Sequence, residues 1–265
     1  MKPRTGSLMA LVVLTAGMLG GCAGTGGKDE AQKQIPAKES IRMARATMTG
    51  GDARSAIGFY EQALKVHPDD YAATLGMADA LYLTGEIVAA DGSYARAAEL
   101  DPKAIDPILA RARIATRQRR LDEAWSLYSR ADAVAGGSDP RPPAGQGVIN
   151  DLRGKPEAAQ DCYRRALAIR PDDLSARNNL GLSLALSGRP RQAIDVLLAI
   201  VQNPASPPQA RHNLALAYGL LGNAVAAENV LSTDLDAGSV QNNLHYYVML
   251  RRRLAEPHSQ ETATP

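Results

Sequence analysis

The chain has 265 residues, of which 45% are hydrophobic and 22% charged, and its 30 basic residues nearly balance its 28 acidic ones. A formal net charge of +2 is too small to indicate nucleic-acid binding, and an aromatic content of 4% provides few surfaces for stacking bases. Because the chain contains one long apolar run and ample apolar residues elsewhere, the composition also excludes a polytopic membrane protein and a largely disordered one.

The first residues have the pattern of an export signal. Lys2 and Arg4 form a short basic segment, and the apolar stretch 8–19 follows. This stretch is shorter than the roughly 20 residues that a membrane-spanning helix requires. Residues 1–21 are therefore predicted to be a signal peptide.

The sequence Leu19-Gly20-Gly21-Cys22 resembles the lipobox of bacterial lipoproteins. The resemblance implies that the Cys22 thiol receives a diacylglycerol and that several acyl chains anchor the protein. Ala23, in place of Asp, implies sorting to the outer membrane with the fold facing the periplasm. An uncleaved signal anchor and a signal cut without lipidation are the alternatives. Residues 22–36 are Gly-rich and polar, and we expect a lipidated cysteine followed by a flexible tether.

A 34-residue period organises the rest of the chain. It predicts repeats 1–3 over 37–136, a Gly/Pro-rich break at 137–143, repeats 4–6 over 144–241, a capping helix over 242–255 and a disordered tail over 256–265. One column of the repeat is always alanine: Ala56, Ala90, Ala124, Ala159, Ala193 and Ala227. Another begins with four tyrosines: Tyr60, Tyr94, Tyr128 and Tyr163.

This pattern resembles the tetratricopeptide repeat (TPR), a 34-residue helix-turn-helix unit. The resemblance implies an all-α superhelical solenoid of about six repeats with a C-terminal capping helix. Glycines at 51, 85, 154, 188 and 222 mark the turn inside each unit, but Arg119 takes this place in repeat three. The first helix of repeat four contains Pro142 and Pro143, so a short or late-starting helix and an interrupted solenoid are expected there.

Stacked repeats form a concave groove lined by their first helices, which is where we expect a protein partner. Asn179 and Asn213 occupy the same position of repeats five and six, 34 residues apart. Each amide can donate to and accept from a peptide backbone, although both side chains can equally bond locally. The candidate groove residues are Asn178, Asn179, Leu182, His212, Asn213 and Leu216.

No catalytic constellation, metal motif or cofactor motif stands out in the sequence, so a non-enzymatic adaptor is expected. The segments Arg211–Ala217, Leu231–Leu235 and Asn242–Leu244 resemble the TadD family of lipoproteins, which belongs to the tight-adherence (Flp) pilus machinery. This resemblance implies a scaffolding or pilotin-like role, with the secretin or other pilus-assembly proteins as partners. The alternatives are assembly of a type IV pilus secretin, insertion of outer-membrane proteins, and an adaptor that regulates envelope hydrolases.

Overall fold

The computed structural model describes residues 35–203 and 205–256, and everything stated below concerns these residues. The predicted signal peptide, Cys22 and most of the tether lie outside them, as does the tail beyond residue 256. The described part of the chain contains thirteen α-helices and no strand. The helices are α1 (Ala37–Thr49), α2 (Ala53–Val66), α3 (Tyr71–Leu83), α4 (Ile87–Leu100), α5 (Asp106–Arg117), α6 (Leu121–Val134), α7 (Arg141–Leu152), α8 (Pro156–Ile169), α9 (Leu174–Leu186), α10 (Pro190–Val201), α11 (Gln209–Leu221), α12 (Ala224–Leu231) and α13 (Ala237–Ala255).

The helices form six successive pairs, followed by α13. Each helix from α1 to α12 packs against the next one along the chain. Successive first helices of the pairs also contact each other, as α5 with α7, α7 with α9 and α9 with α11. These contacts place the first helices on the inner side of the stack. The predicted all-α class and its stacked helix pairs are confirmed.

Small side chains allow the helices of a pair to approach closely. All six alanines of the predicted column, from Ala56 to Ala227, are fully buried. A second column on the first helices is equally small and buried: Ala44, Ala78, Ala112, Gly147, Gly181 and Ala215. Because a larger side chain at these positions would separate the helices, the spacing of Ala and Gly sets the spacing of the stack.

The turn inside each pair uses a left-handed residue. The five predicted turn glycines have φ between +69° and +92°, a region open to glycine without steric penalty. Arg119 occupies the equivalent place in the third pair with φ +59°, and is the one non-glycine residue of the described part with positive φ. The repeat therefore imposes its backbone geometry on a residue that does not favour it.

The middle of the solenoid is continuous. Helix α7 begins at Arg141, inside the segment 137–143 where a break is predicted, and its twelve residues match the length of α5. Pro142 and Pro143 lie in its first turn, where the backbone N–H groups have no partner inside the helix, so proline is tolerated there. Helix α7 also packs against α5, α6, α8 and α9.

Helix α13 closes the stack against α11 and α12. It begins at Ala237, earlier than the predicted residue 242, because Asp236 caps it by accepting a hydrogen bond from the Ser239 N–H at 3.0 Å. The Tyr247 ring packs on Gly219, where a Cβ would collide with it. Among the helices of the described residues, none is both long and apolar enough to span a membrane.

Candidate partner-binding groove

Two cavities lie along the helices of repeats three to five. The larger, about 700 Å³, is bordered by α5, α7 and α9 and contains three guanidinium groups, and we name it the arginine cavity. The smaller, about 630 Å³, lies between α7, α8 and α9, and we name it the aliphatic cavity. Val148 and Asn179 border both, so the cavities are adjacent. The aliphatic cavity takes its name from Val148, Leu152, Leu182, Leu186 and Leu254.

The predicted asparagines divide into two roles. The Asn213 side-chain amide donates to the Asn178 carbonyl oxygen at 2.9 Å, and Asn178 is almost completely buried. This bond ties α11 to α9. Asn179 is half-buried, lines both cavities, and its side chain has no hydrogen-bond partner within the described residues. Asn179 is therefore the asparagine whose amide is available to a bound peptide.

The other predicted residues are placed as follows. Leu182 lines the aliphatic cavity, whereas Leu216 is buried in the core between the last repeats. The His212 Nε2 atom lies 3.9 Å from a carboxylate oxygen of Asp234, which also accepts two hydrogen bonds from Arg211. His212 thus lies beside the Arg211–Asp234 ion pair and lines neither cavity. Of the six candidate residues, the structure brings Asn179 and Leu182 to the cavities.

The arginine cavity has an aromatic floor. This floor is the ring of Tyr128, which packs against Gly145. A Cβ at position 145 would overlap the ring. Arg141 is held by Asp139 at 2.8 Å and Asp106 at 2.7 Å, and the Arg141 guanidinium lowers the pKa of Asp139. Arg113 has no carboxylate within 4 Å among the residues that the structure covers.

A single carboxylate lies at the edge of the aliphatic cavity. The Asp151 Oδ1 atom accepts a hydrogen bond from the Ser183 hydroxyl at 2.6 Å, and Oδ2 accepts one from the Tyr163 hydroxyl at 2.9 Å. Burial raises the pKa of Asp151 against the lowering effect of these two bonds. No cation lies within 4 Å of it in the described part of the chain.

Sequence reasoning overlooked Asp151, and the available signal was weak. Its hydroxyl partners follow 12 and 32 residues later, so no local motif contains them. The repeat pattern identifies Tyr163 as a member of the tyrosine column, but it does not indicate which residue accepts the hydrogen bond from its hydroxyl. Tyr94 shows the same chemistry in the second repeat, where its hydroxyl donates to Asp79 at 2.6 Å.

The family profile described as tetratricopeptide repeat matches residues 41–105 and 153–210. The chain is a tetratricopeptide-repeat protein. The peroxisomal targeting signal receptor of Eremothecium gossypii is 31% identical over 180 residues, which make up 67% of this chain and 31% of the receptor. The chain spans about a third or less of the length of the curated relatives it matches.

Solved structures with the same fold include PilW and PilF. PilW, described as a widely conserved type IV pilus biogenesis factor, has a TM-score of 0.69 at 20% identity, covering 80% of this chain and 98% of PilW. PilF of Pseudomonas aeruginosa has a TM-score of 0.61 at 14% identity, covering 83% of this chain and 91% of PilF. At these identities the likeness establishes the fold.

As a TPR protein the chain has the architecture of a protein-protein interaction scaffold, in which the concave side of the stack offers the binding surface. Residues 35–203 and 205–256 contain no group of three or more His, Cys, Asp or Glu side chains that could hold a metal ion. Cys162 is buried, and this burial raises the pKa of its thiol, as expected of a structural cysteine.

Proposed function

We propose that this chain is a lipid-anchored, non-enzymatic scaffold that holds a pilus-assembly protein in the groove of repeats three to five, where the two cavities lie. One observation carries the proposal. The two cavities meet at Asn179, whose side-chain amide has no partner within the described residues, while aliphatic side chains surround it on one side. A free amide beside apolar pockets can bond a partner's backbone while the pockets take its side chains.

The lipid anchor rests on the sequence Leu19-Gly20-Gly21-Cys22 and on the Gly-rich segment that follows it. A thioether-linked diacylglycerol with a further acyl chain would hold the protein stably at the outer membrane, facing the periplasm. Replacing Cys22 with serine should abolish palmitate labelling in cells. Persistent labelling of the Cys22→Ser variant would contradict the anchor.

The tight-adherence (Flp) pilus is the machinery that we favour. The TadD-like segments from Arg211 to Leu244 support it, and a pilotin-like action on the outer-membrane secretin is the role that follows. In a strain that lacks the gene, we expect loss of detergent-resistant multimers of the tight-adherence secretin on immunoblots. Normal multimers in that strain would refute the pilotin-like role.

The groove itself is tested with point variants in the complemented deletion strain. Asn179→Ala should reduce secretin multimers and the amount of secretin that co-purifies with the protein. Asn242→Ala is the matched control, because Asn242 is an exposed asparagine of α13 that lines neither cavity. Equal recovery of secretin with both variants would contradict the groove proposal.

A second candidate function is assembly of a type IV pilus. The TM-score of 0.69 with PilW, over 98% of that chain, favours a stack of similar length to this biogenesis factor. The deletion strain separates the two candidates. Loss of twitching motility and of type IV pili with intact Flp pili would support the second candidate over the first.

A further inference from the structure

The strongest unexplained feature of the groove is the carboxylate of Asp151. It borders a cavity whose walls are mostly aliphatic, and five aliphatic side chains line it: Val148, Leu152, Leu182, Leu186 and Leu254. A half-buried carboxylate normally has a cation nearby, because hydrogen bonds from neutral hydroxyls replace only part of its lost hydration. Here the two partners are the neutral hydroxyls of Ser183 and Tyr163.

The nearest cation along the chain is engaged elsewhere. Arg153 follows Asp151 by two residues, but its guanidinium pairs with Asp122 and lies 5.6 Å from the centre of the Trp125 ring. Successive residues of a helix point to different sides, so Arg153 belongs to the contact with α6 rather than to the aliphatic cavity. Within the described residues the charge of Asp151 is left without a counter-ion.

We propose that Asp151 binds a basic side chain, lysine or arginine, of the partner segment held in the groove. This inference rests on the proposed scaffold function and names the chemistry of its partner. The methylene groups of such a side chain would pack against the aliphatic walls, and its charged end would form an ion pair with the carboxylate at the edge of the cavity. An apolar side chain of the same length would fill the cavity but leave the carboxylate unpaired and further dehydrated.

The polar groups around the cavity support the same occupant. Asn179, Ser183 and Ser187 line it together with Asp151. Their side-chain oxygens can accept hydrogen bonds that an ammonium or guanidinium group donates beyond its bond to the carboxylate. Leu254, contributed by the last turn of α13, adds an apolar wall from outside the repeats.

The test begins with the purified chain from residue 23, which contains all the residues that the structure describes. The probe is a positional-scanning library of blocked, fluorescein-labelled hexapeptides, read by fluorescence anisotropy. We expect the tightest peptides to contain lysine or arginine. If no hexapeptide binds, both the groove function and this inference fail; if the tightest peptides contain no basic residue, the inference alone fails.

The charge is then isolated with an isosteric pair. In the tightest peptide, lysine is compared with 2-aminoheptanoic acid, which has a methyl group in place of the ammonium, and we expect about a tenfold preference for the basic side chain, or 1.4 kcal/mol. Asp151→Asn should abolish this preference. Asp79→Asn is the matched control, since Asp79 also accepts a hydrogen bond from a tyrosine, and it should keep the preference. A preference that survives in Asp151→Asn overturns the inference, and circular dichroism confirms that both variants are folded.

Discussion

Arg119 provides a direct test of whether the repeat geometry, rather than local sequence, sets the backbone of the turns. Its φ of +59° lies in the left-handed region, where the equivalent residues of the other pairs are glycines. A side chain in this conformation costs about 1–2 kcal/mol, because Cβ crowds the following carbonyl oxygen. Replacing Arg119 with glycine removes this strain.

The gain is smaller than the strain. Glycine has more freedom in the unfolded chain, which offsets roughly 0.5–1 kcal/mol. The Arg119 side chain is exposed and contributes no ion pair within the described residues, so little else is lost. We therefore expect Arg119→Gly to raise the free energy of unfolding by about 0.5–1 kcal/mol, corresponding to about 2 °C in Tm for a chain of this size.

The reverse substitution, from glycine to a residue with a side chain, serves as the control. Gly85 has φ +84° in the second pair, and a Cβ at this position would meet no atom within 4 Å. Gly85→Ala therefore adds backbone strain without a packing clash and, because alanine also has less freedom in the unfolded chain, should lower the free energy of unfolding by about 0.5–1 kcal/mol. Urea unfolding followed by circular dichroism measures both variants. A destabilised Arg119→Gly, or an unchanged Gly85→Ala, would refute the reasoning.

The remaining predictions concern the floor of the arginine cavity, the asparagine pair and the buried carboxylate. Gly145→Ala should lower the free energy of unfolding by about 1–3 kcal/mol because its Cβ overlaps the Tyr128 ring, whereas Gly58→Ala, in open space on α2, should raise it by roughly 0.5–1 kcal/mol, both measured in urea. Asn213→Ala should lower it by about 1 kcal/mol, since the Asn178 oxygen loses its donor, and an unchanged urea midpoint would contradict this. Because the pKa of Asp151 is higher in the folded than in the unfolded state, the native protein binds more protons between the two values, and the contribution of Asp151 to stability falls as pH rises through that window. The free energy of unfolding of the parent should therefore fall relative to that of Asp151→Asn between pH 4 and pH 7. A difference between the two proteins that does not change with pH would contradict the raised pKa of Asp151.

The pH behaviour of Asp151 depends on the groups that face it. Tyr163 on α8 and Ser183 on α9 donate to its two oxygens and favour the ionised form, while burial opposes it. An asparagine at 151 can still meet both hydroxyls, because a hydroxyl either donates to the amide oxygen or accepts from the amide nitrogen. The pH-dependent part of the comparison therefore reports the charge rather than a lost hydrogen bond.

The fold could be predicted from the sequence wherever one residue type has one steric role. Alanines at 34-residue spacing are required at helix contacts, and all six of them are buried. Asp70 and Asp173 precede first helices, and both accept a hydrogen bond from the backbone N–H three residues later, at 2.8 and 2.9 Å. These features depend on one or two residues that are close in sequence, so a pattern reveals them.

The site was predictable to a smaller extent, because contacts between repeats do not follow equivalent positions. Asn179 and Asn213 are 34 residues apart, yet Asn213 bonds Asn178, one residue earlier. The Asn213 side chain thus meets the residue that precedes its equivalent position in the preceding repeat. The period identifies equivalent residues, whereas the packing of neighbouring helices decides which residues touch.

The position of Asn179 between the two cavities gives the groove a direction. On one side the aliphatic walls lead to the carboxylate of Asp151, and on the other Arg113 and Arg141 border the neighbouring cavity. In the proposed complex, a partner backbone bonded to Asn179 would place a basic side chain beside Asp151. Reversing the segment would take that basic side chain away from Asp151. If Asp151 binds a basic side chain as proposed, this contact sets the orientation of the bound chain as well as its composition, which an asparagine ladder alone could not do.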